Sequence, residues 1–127
     1  MLTFLDRYQE HTYALLRMVT GFLFIWHGTQ KLFGFPLPAR EGVPAFVTWG
    51  AGGIELVGGI LVMIGLFTRP AAFISSGTMA FAYWLAHGTQ ALLPINNGGE
   101  LAALYCFAFL AIAARGAGIL SIDNLRR

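Results

Sequence analysis

The sequence predicts an all-α integral membrane protein, a bundle of four transmembrane helices built as a duplicated helical hairpin. Three observations carry that prediction. First, 57% of the 127 residues are hydrophobic and only 11% are charged, against roughly a quarter charged in an ordinary soluble domain. Eight basic and six acidic side chains are too few to coat a soluble fold of this size. Second, those charges gather between long apolar stretches rather than spreading along the chain. Third, short polar motifs occur twice at matching places in the two halves.

A bilayer core of about 30 Å needs around 20 mainly apolar residues at a rise of about 1.5 Å each. Four stretches of one 1–127 domain meet that demand: residues 13–33, 46–67, 71–87 and 100–114. The first opens after a short amphipathic start that lacks the basic segment and small-residue cleavage site of a signal peptide, so it is expected to persist in the mature chain. It ends at Gly34, with Pro36 and Pro38 beyond it, because proline removes a donor and clashes with a helix interior. Thr68-Arg69-Pro70 reads as a tight turn between the second and third stretches, with Pro70 as a first helical residue. Pro94-Ile-Asn-Asn-Gly-Gly is turn chemistry ahead of the fourth. Gly52, Gly53, Gly58 and Gly59 let the second helix approach a neighbour closely, and that Gly-rich face could also support a homo-oligomer.

Basic residues set the expected orientation. Arg7, Arg17, Arg69, Arg115, Arg126 and Arg127 fall at one end, and Lys31 and Arg40 at the other. Both termini are therefore expected on the cytoplasmic side of the membrane. Arg17, about one turn inside the first helix, is read as snorkelling to the headgroups, with a buried pair to Glu55 as the alternative. The net charge of +2 brings no basic run and no basic-aromatic interleaving, so no nucleic-acid partner is expected. The single Cys106 excludes an internal disulfide and a cysteine-based zinc site.

The repeat brings the candidate chemistry. His27-Gly28-Thr29-Gln30 recurs as His87-Gly88-Thr89-Gln90, and Gly52-Gly53-Ile54-Glu55-Leu56 recurs one residue shorter as Gly98-Gly99-Glu100-Leu101. At about 1.5 Å per residue, Glu55 stands about 21 Å above Arg69 and Glu100 about 22 Å above Arg115. The same rise puts His27 about 15 Å above Arg17 and His87 about 25 Å above Pro70. Two imidazoles and two carboxylates are thus expected to share an outer-half pocket, with His27, Glu55, His87 and Glu100 as its catalytic set. Lys31 follows His27 by one turn on the same face and biases the pocket towards anions. Trp26, Tyr83, Trp84 and Asn97, with Phe24, are the expected ligand-binding surround.

Ionisable groups inside a membrane need a partner, water or a task. His and Glu can pass protons. Two Glu and two His in a four-helix core could also hold a metal pair, but the Glu-x-x-His spacing of that site class is missing, and no metal ligand is assigned. Two His could clamp a haem. A quinone head group suits the set best, since it needs donors to its carbonyls beside an apolar, aromatic slot. The opposing reading makes Glu55 with His27 or Lys31, and Glu100 with His87, structural ion pairs that fix register. Glu100 also has a local role open to it, complementing the helix macrodipole from the first turn.

Along nearly its whole length the chain resembles the DoxX family of small bacterial membrane proteins. The matching stretches are Phe24-Ile-Trp-His-Gly-Thr-Gln-Lys-Leu-Phe-Gly, Glu55-Leu-Val-Gly-Gly-Ile-Leu, Gly65-Leu-Phe-Thr-Arg-Pro-Ala-Ala, Asn97-Gly-Gly-Glu-Leu-Ala-Ala-Leu-Tyr and Gly116-Ala-Gly-Ile-Leu-Ser-Ile-Asp. The resemblance implies a four-helix membrane protein tied to redox work, relatives including a subunit of a thiosulfate:quinone oxidoreductase and members of complexes that resist oxidative stress. It implies soluble redox partner subunits, and it supplies no catalytic residues. The function expected is therefore a redox-associated membrane subunit that binds a quinone-like molecule or relays protons. A small proton-coupled transporter or channel, and a non-catalytic scaffold, are the competing classes.

Overall fold

The computed structural model describes residues 2–126 and contains helices and no strand among them. A 3-10 segment, Thr3–Tyr8, leads into α1, Gln9–Phe33. A π-helical turn, Val47–Ala51, runs directly into α2, Gly52–Ile64. Then come α3, Thr68–Ala86, the one-turn α4, Pro94–Asn97, α5, Glu100–Arg115, and a short closing helix α6, Ile122–Leu125. The long helices pair as two hairpins, α1 with α2 and α3 with α5, and the hairpins meet mainly through α2 and α3.

The ends of these helices follow from their residues. Gly34 and Gly65 take positive φ of 65° and 74° at the ends of α1 and α2, the conformation that glycine adopts without a Cβ penalty. At the second, the Leu66 N–H donates to Leu61 O and the Gly65 N–H to Val62 O, a Schellman arrangement. The second helix therefore stops at Ile64 instead of reaching Phe67. The expected turn over Thr68-Arg69-Pro70 is instead the first turn of α3, where Pro70 needs no intrahelical donor.

Helix pairing rests on small residues. A Cβ on Gly28 would stand 2.5 Å from Leu56 N and 2.8 Å from Gly52 O, and one on Gly21 would stand 2.6 Å from Gly59 O. α1 and α2 thus touch backbone to backbone. Gly52, Gly58 and Gly59 lie in close contacts as expected, but Gly53 faces open space.

The bundle is apolar outside and partly polar inside. Leu15, Leu16, Val19, Phe22, Leu23 and Trp26 are exposed on α1, while Arg17 is wholly buried and Thr20 nearly so. Phe73, Phe81 and Trp84 on α3 and Leu104 and Phe107 on α5 are likewise exposed. The core holds Phe24, Tyr105 and Phe109 in mutual ring contact, with Val62, Ala72, Met79 and Ile112 around them. Among the described residues, one helical stretch, Val47–Ile64, is both long and apolar enough to cross a membrane by length and composition.

Arg17 corrects both sequence readings: it neither snorkels nor meets Glu55. Its Nε donates to Val62 O (3.1 Å), and its guanidinium nitrogens donate to the carbonyls of Ala117, Ile119 (3.0 Å) and Leu120 (2.6 Å). Arg69 does the parallel service outside, donating to the last carbonyls of α5 at Ala113, Ala114 and Arg115. Arg115 itself pairs with Glu10 and lies over the Tyr13 ring. Arg17 and Arg69 thus serve carbonyls at this end, Arg7 and Arg126 lie over the rings of Tyr8 and Phe67, and Arg127 lies outside the described residues.

Candidate functional site

At the opposite end, α1, the 34–45 loop, the π-turn, α2, α3 and α5 surround a cavity of about 360 Å³. That size falls in the range of ligand pockets, about 300–1,000 Å³. Its polar lining is His27, Gln30, Lys31, Arg40, Thr48, Glu55, His87 and Tyr105. Ala, Val, Met and Leu side chains from the 34–45 loop, the π-turn, α3 and α5, with Gly98, make the rest. The buried Phe24–Tyr105–Phe109 cluster fills the bundle on the Tyr105 side of the cavity. The loop is tied down where Gln30 Nε2 donates to Pro38 O (3.1 Å).

Glu55 is almost wholly buried and pairs with Lys31, whose Nζ stands 3.0 and 2.9 Å from the two carboxylate oxygens. The Lys31 side chain keeps 29% of its surface open. One turn back, His27 is half-buried and meets the Tyr105 ring edge-on, with centroids 5.7 Å apart. No hydrogen bond among the described residues engages the side chains of His27, Arg40 or Tyr105. These are donor groups facing a cavity and left without protein partners.

His87 is fixed differently. Its Nδ1 lies 3.0 Å from Asn97 O. A carbonyl only accepts, so Nδ1 carries the proton and Nε2 is the acceptor of the neutral ring. Asn97 is buried and spends its side chain on the protein, donating to Tyr83 Oη and Ala91 O and accepting from the Gly99 N–H.

Four of the nine residues singled out from sequence therefore meet in one cavity: His27, Lys31, Glu55 and His87. Glu100 does not join them. It is exposed at the first residue of α5, the place where a carboxylate complements the helix dipole. Without it the two-Glu, two-His metal set does not assemble, and no group of three or more His, Cys, Asp or Glu occurs among the described residues. Trp26 and Trp84 lie on the outer surface, against Phe22 and Phe35 and against Tyr83. Tyr83 and Asn97 form the lock beneath the α3–α4 turn, and Phe24 lies in the core rather than in a ligand slot. Sequence reasoning missed Tyr105 and Arg40. Tyr105 carries the lone phenol of an otherwise apolar helix, and Arg40 is the one basic residue of a charge-poor loop.

The comparisons agree with the motif reading. The DoxX family model matches residues 12–88. This chain belongs to the DoxX family. The family is membrane-associated. An uncharacterized protein of Haemophilus influenzae (strain Rd) is 44% identical, with 94% of each chain covered. A Bacillus subtilis (strain 168) protein named "Putative oxidoreductase CatD" is 29% identical over 86% of this chain and 82% of its own. A second uncharacterized Haemophilus influenzae protein is 29% identical over 87% of this chain and 80% of its own. No solved structure matches the chain with significance.

Proposed function

We propose that this DoxX protein crosses the plasma membrane four times, by α1, the π-turn with α2, α3 and α5, with both termini cytoplasmic. We propose further that its outer cavity receives the ring of a quinone-like molecule as part of a redox assembly. The cavity's unpartnered donors set among apolar walls carry the second statement. The first is supported by the inverted exterior, since buried Arg17 beside exposed Leu16 and Val19 suits a lipid surround and not water. It is supported too by Arg7, Arg17, Arg69, Arg115 and Arg126 standing away from the cavity end. α5, with 16 residues, spans about 24 Å. Its outer end then stops short of the bilayer surface, and α4 fills the remaining depth.

The chemistry follows from which groups give and which accept. A quinone carbonyl only accepts, and His27, Tyr105 and Arg40 offer donors. A quinol hydroxyl donates, and His87 Nε2 accepts. Protons leaving or reaching the ring oxygens pass to the imidazoles or to Glu55, while electrons are exchanged with a soluble partner subunit. The relative bearing an oxidoreductase name supports the redox setting.

Titration of the detergent-solubilised protein with 1,4-naphthoquinone, read by quenching of tryptophan fluorescence, tests the reading. Saturable binding at one ring per chain is expected. Combining His27→Ala with Tyr105→Phe removes two hydrogen bonds of about 1 kcal/mol each and should weaken it by about tenfold or more. Absence of saturation, or affinity indifferent to both changes, sinks it. One observation favours a scaffold instead, the Lys31–Glu55 pair that is already satisfied within the protein. A scaffold would lose stability and no binding when that pair is changed.

A further inference from the structure

The cavity's charge balance says what kind of head group it takes. From α1, His27 and Lys31 face it; from the 34–45 loop, Arg40; from the end of α3, His87; from α5, Tyr105. α2 contributes Glu55, the one carboxylate of the lining. Lys31 and Glu55 cancel each other, which leaves the Arg40 charge uncompensated. The Glu55 side chain is 3% exposed, and its oxygens have no hydrogen-bond partner but Lys31 among the described residues. Lys31, by contrast, has 29% of its side chain open and borders the cavity. One partner of the pair can turn towards a ligand, and the other cannot follow it.

We infer that the cavity binds a singly charged anionic head group on an aromatic ring, held by Lys31 and Arg40, and that binding carries one proton onto Glu55. The inference rests on the proposed small-molecule reading of this cavity and adds the charge and the proton. When Lys31 swings to the incoming anion, the Glu55 carboxylate is left buried without a counter-charge. An uncompensated carboxylate in a dry site neutralises. The balance is simple: the anion and one proton from water enter, the Lys31 ammonium changes partner, and Glu55 becomes the neutral acid. No other bond is made or broken. By linkage, affinity for the anion falls about tenfold for each unit rise in pH wherever Glu55 is ionised in the empty protein.

Two ring probes separate this inference from the reading beneath it: 2-hydroxy-1,4-naphthoquinone, ionised near neutrality, and 1,4-naphthoquinone, which stays neutral. Calorimetry on the intact protein, in buffers of different ionisation heat between about pH 6 and 8, counts the protons taken up. The ionised probe should bind with one proton taken up and about tenfold weaker per pH unit, and the neutral probe with none and no pH trend. Glu55→Gln should bind the ionised probe with no proton and a flat profile, its fold confirmed by retained binding of the neutral probe. Should that variant not fold, the count is read instead in His27→Ala combined with His87→Ala, where one proton must still be taken up with the ionised probe. A count of zero, or a count that persists in Glu55→Gln and so belongs to His27 or His87, overturns the inference. Neutral binding without ionised binding also overturns it and leaves the small-molecule site standing. If neither probe binds, both fall together. Ionised binding with its proton and no neutral binding upholds the inference and removes the neutral-quinone reading.

Discussion

His27-Gly28-Thr29-Gln30 and His87-Gly88-Thr89-Gln90 are the same four residues at the same end of the bundle, yet the two hairpins put them to different uses. In the first hairpin the helix runs on for six residues past His27, so Lys31 follows one turn later and meets Glu55 across the α1–α2 seam. In the second, α3 stops at Ala86 and His87 leaves the helix at φ −129°. Pro94 helps to explain the break. It holds Leu93 extended at φ −90°, ψ 133°, and the short path from His87 to Pro94 must turn back to reach α5. Gly28 lets two backbones touch, whereas Gly88 ends a helix by donating to Tyr83 O. The glutamates diverge with them: Glu55 is buried inside its hairpin, Glu100 is exposed at a helix start. A shared motif therefore carries shared chemistry only where the backbone continues far enough to bring the same partner.

The largest test of that asymmetry lies at the other end of the bundle, where each hairpin has one arginine on a set of carbonyls. Arg17 is wholly buried and serves four carbonyls in α2 and the 117–120 segment, with no carboxylate in salt-bridge range among the described residues. Its charge is balanced by those carbonyls and by the negative end of α2. Arg17→Met should cost about 3–5 kcal/mol, because one buried and three part-buried acceptors lose their donor at once. Arg69→Met, which strips donors from an exposed helix end, should cost about 1 kcal/mol or less. Denaturant unfolding in a mild detergent measures both. Equal losses would mean the hairpins are held alike at this end.

Next in size is the contrast between the two carboxylates. Lys31→Met leaves Glu55 buried and uncompensated. The penalty should be about 2–3 kcal/mol, below the 3–5 of a fully dry pair because Lys31 already keeps some water. Glu100→Gln should fall within about 0.5 kcal/mol of the parent, as surface changes do. The same unfolding assay reads both, and a large effect of Glu100→Gln would restore the equivalence that the repeat suggests.

These cases mark how far the sequence could be read. The helices at 13–33 and 100–114 lie close to Gln9–Phe33 and Glu100–Arg115 because Gly34, Pro36 and the Gly98-Gly99 pair are local signals with local consequences. The meeting of His27, Lys31, Glu55 and His87 was legible too, since rise per residue fixes depth. Depth is not direction, however. Glu100 stands at the expected end of α5 but is exposed and does not line the cavity, and no spacing rule revealed that. Arg17 was misread for a related reason. Its partners are backbone carbonyls about a hundred residues away, and a carbonyl has no letter in the sequence. Arg40 and Tyr105 were missed because loop placement and ring direction depend on packing between the hairpins.

A smaller effect separates the two copied glycines. Gly28→Ala would press a methyl group against Leu56 and Gly52 backbone atoms at 2.5 and 2.8 Å. The helices must part, at about 1–3 kcal/mol. Gly88→Ala meets chiefly the rings of Trp84 and Tyr83. Trp84 is 65% exposed and can swing aside, so the loss should stay below about 1 kcal/mol. Because Gly28 also sets the α1–α2 spacing next to Lys31 and Glu55, its variant should weaken binding of the ring probes, while Gly88→Ala should leave them bound. A reversed order would show that the second copy, not the first, is the one that packing constrains.

The smallest effect concerns the strap that joins the hairpins. Arg17 of the first hairpin holds the 117–120 segment, and a few residues on Asp123 reaches the second, accepting from Phe67 N–H (3.0 Å) and Thr68 N–H (2.9 Å) at the start of α3. Partial burial alone would raise the Asp123 carboxyl, but those amide donors and the nearby Arg126 outweigh it and hold it below the ordinary aspartate value. A carboxylate held low in the folded state stabilises fully above its unfolded value of about 3.9 and loses that contribution as pH falls through the folded value. Asp123→Asn keeps one accepting oxygen and loses the charge, so at neutral pH it should cost about 0.5–1 kcal/mol. Below about pH 4 the gap between parent and variant should close, because the parent then carries a neutral acid at the same place. A gap that persists into acid would mean that Asp123 acts through its shape alone, and that the charge at the head of α3 does nothing to hold the two hairpins together.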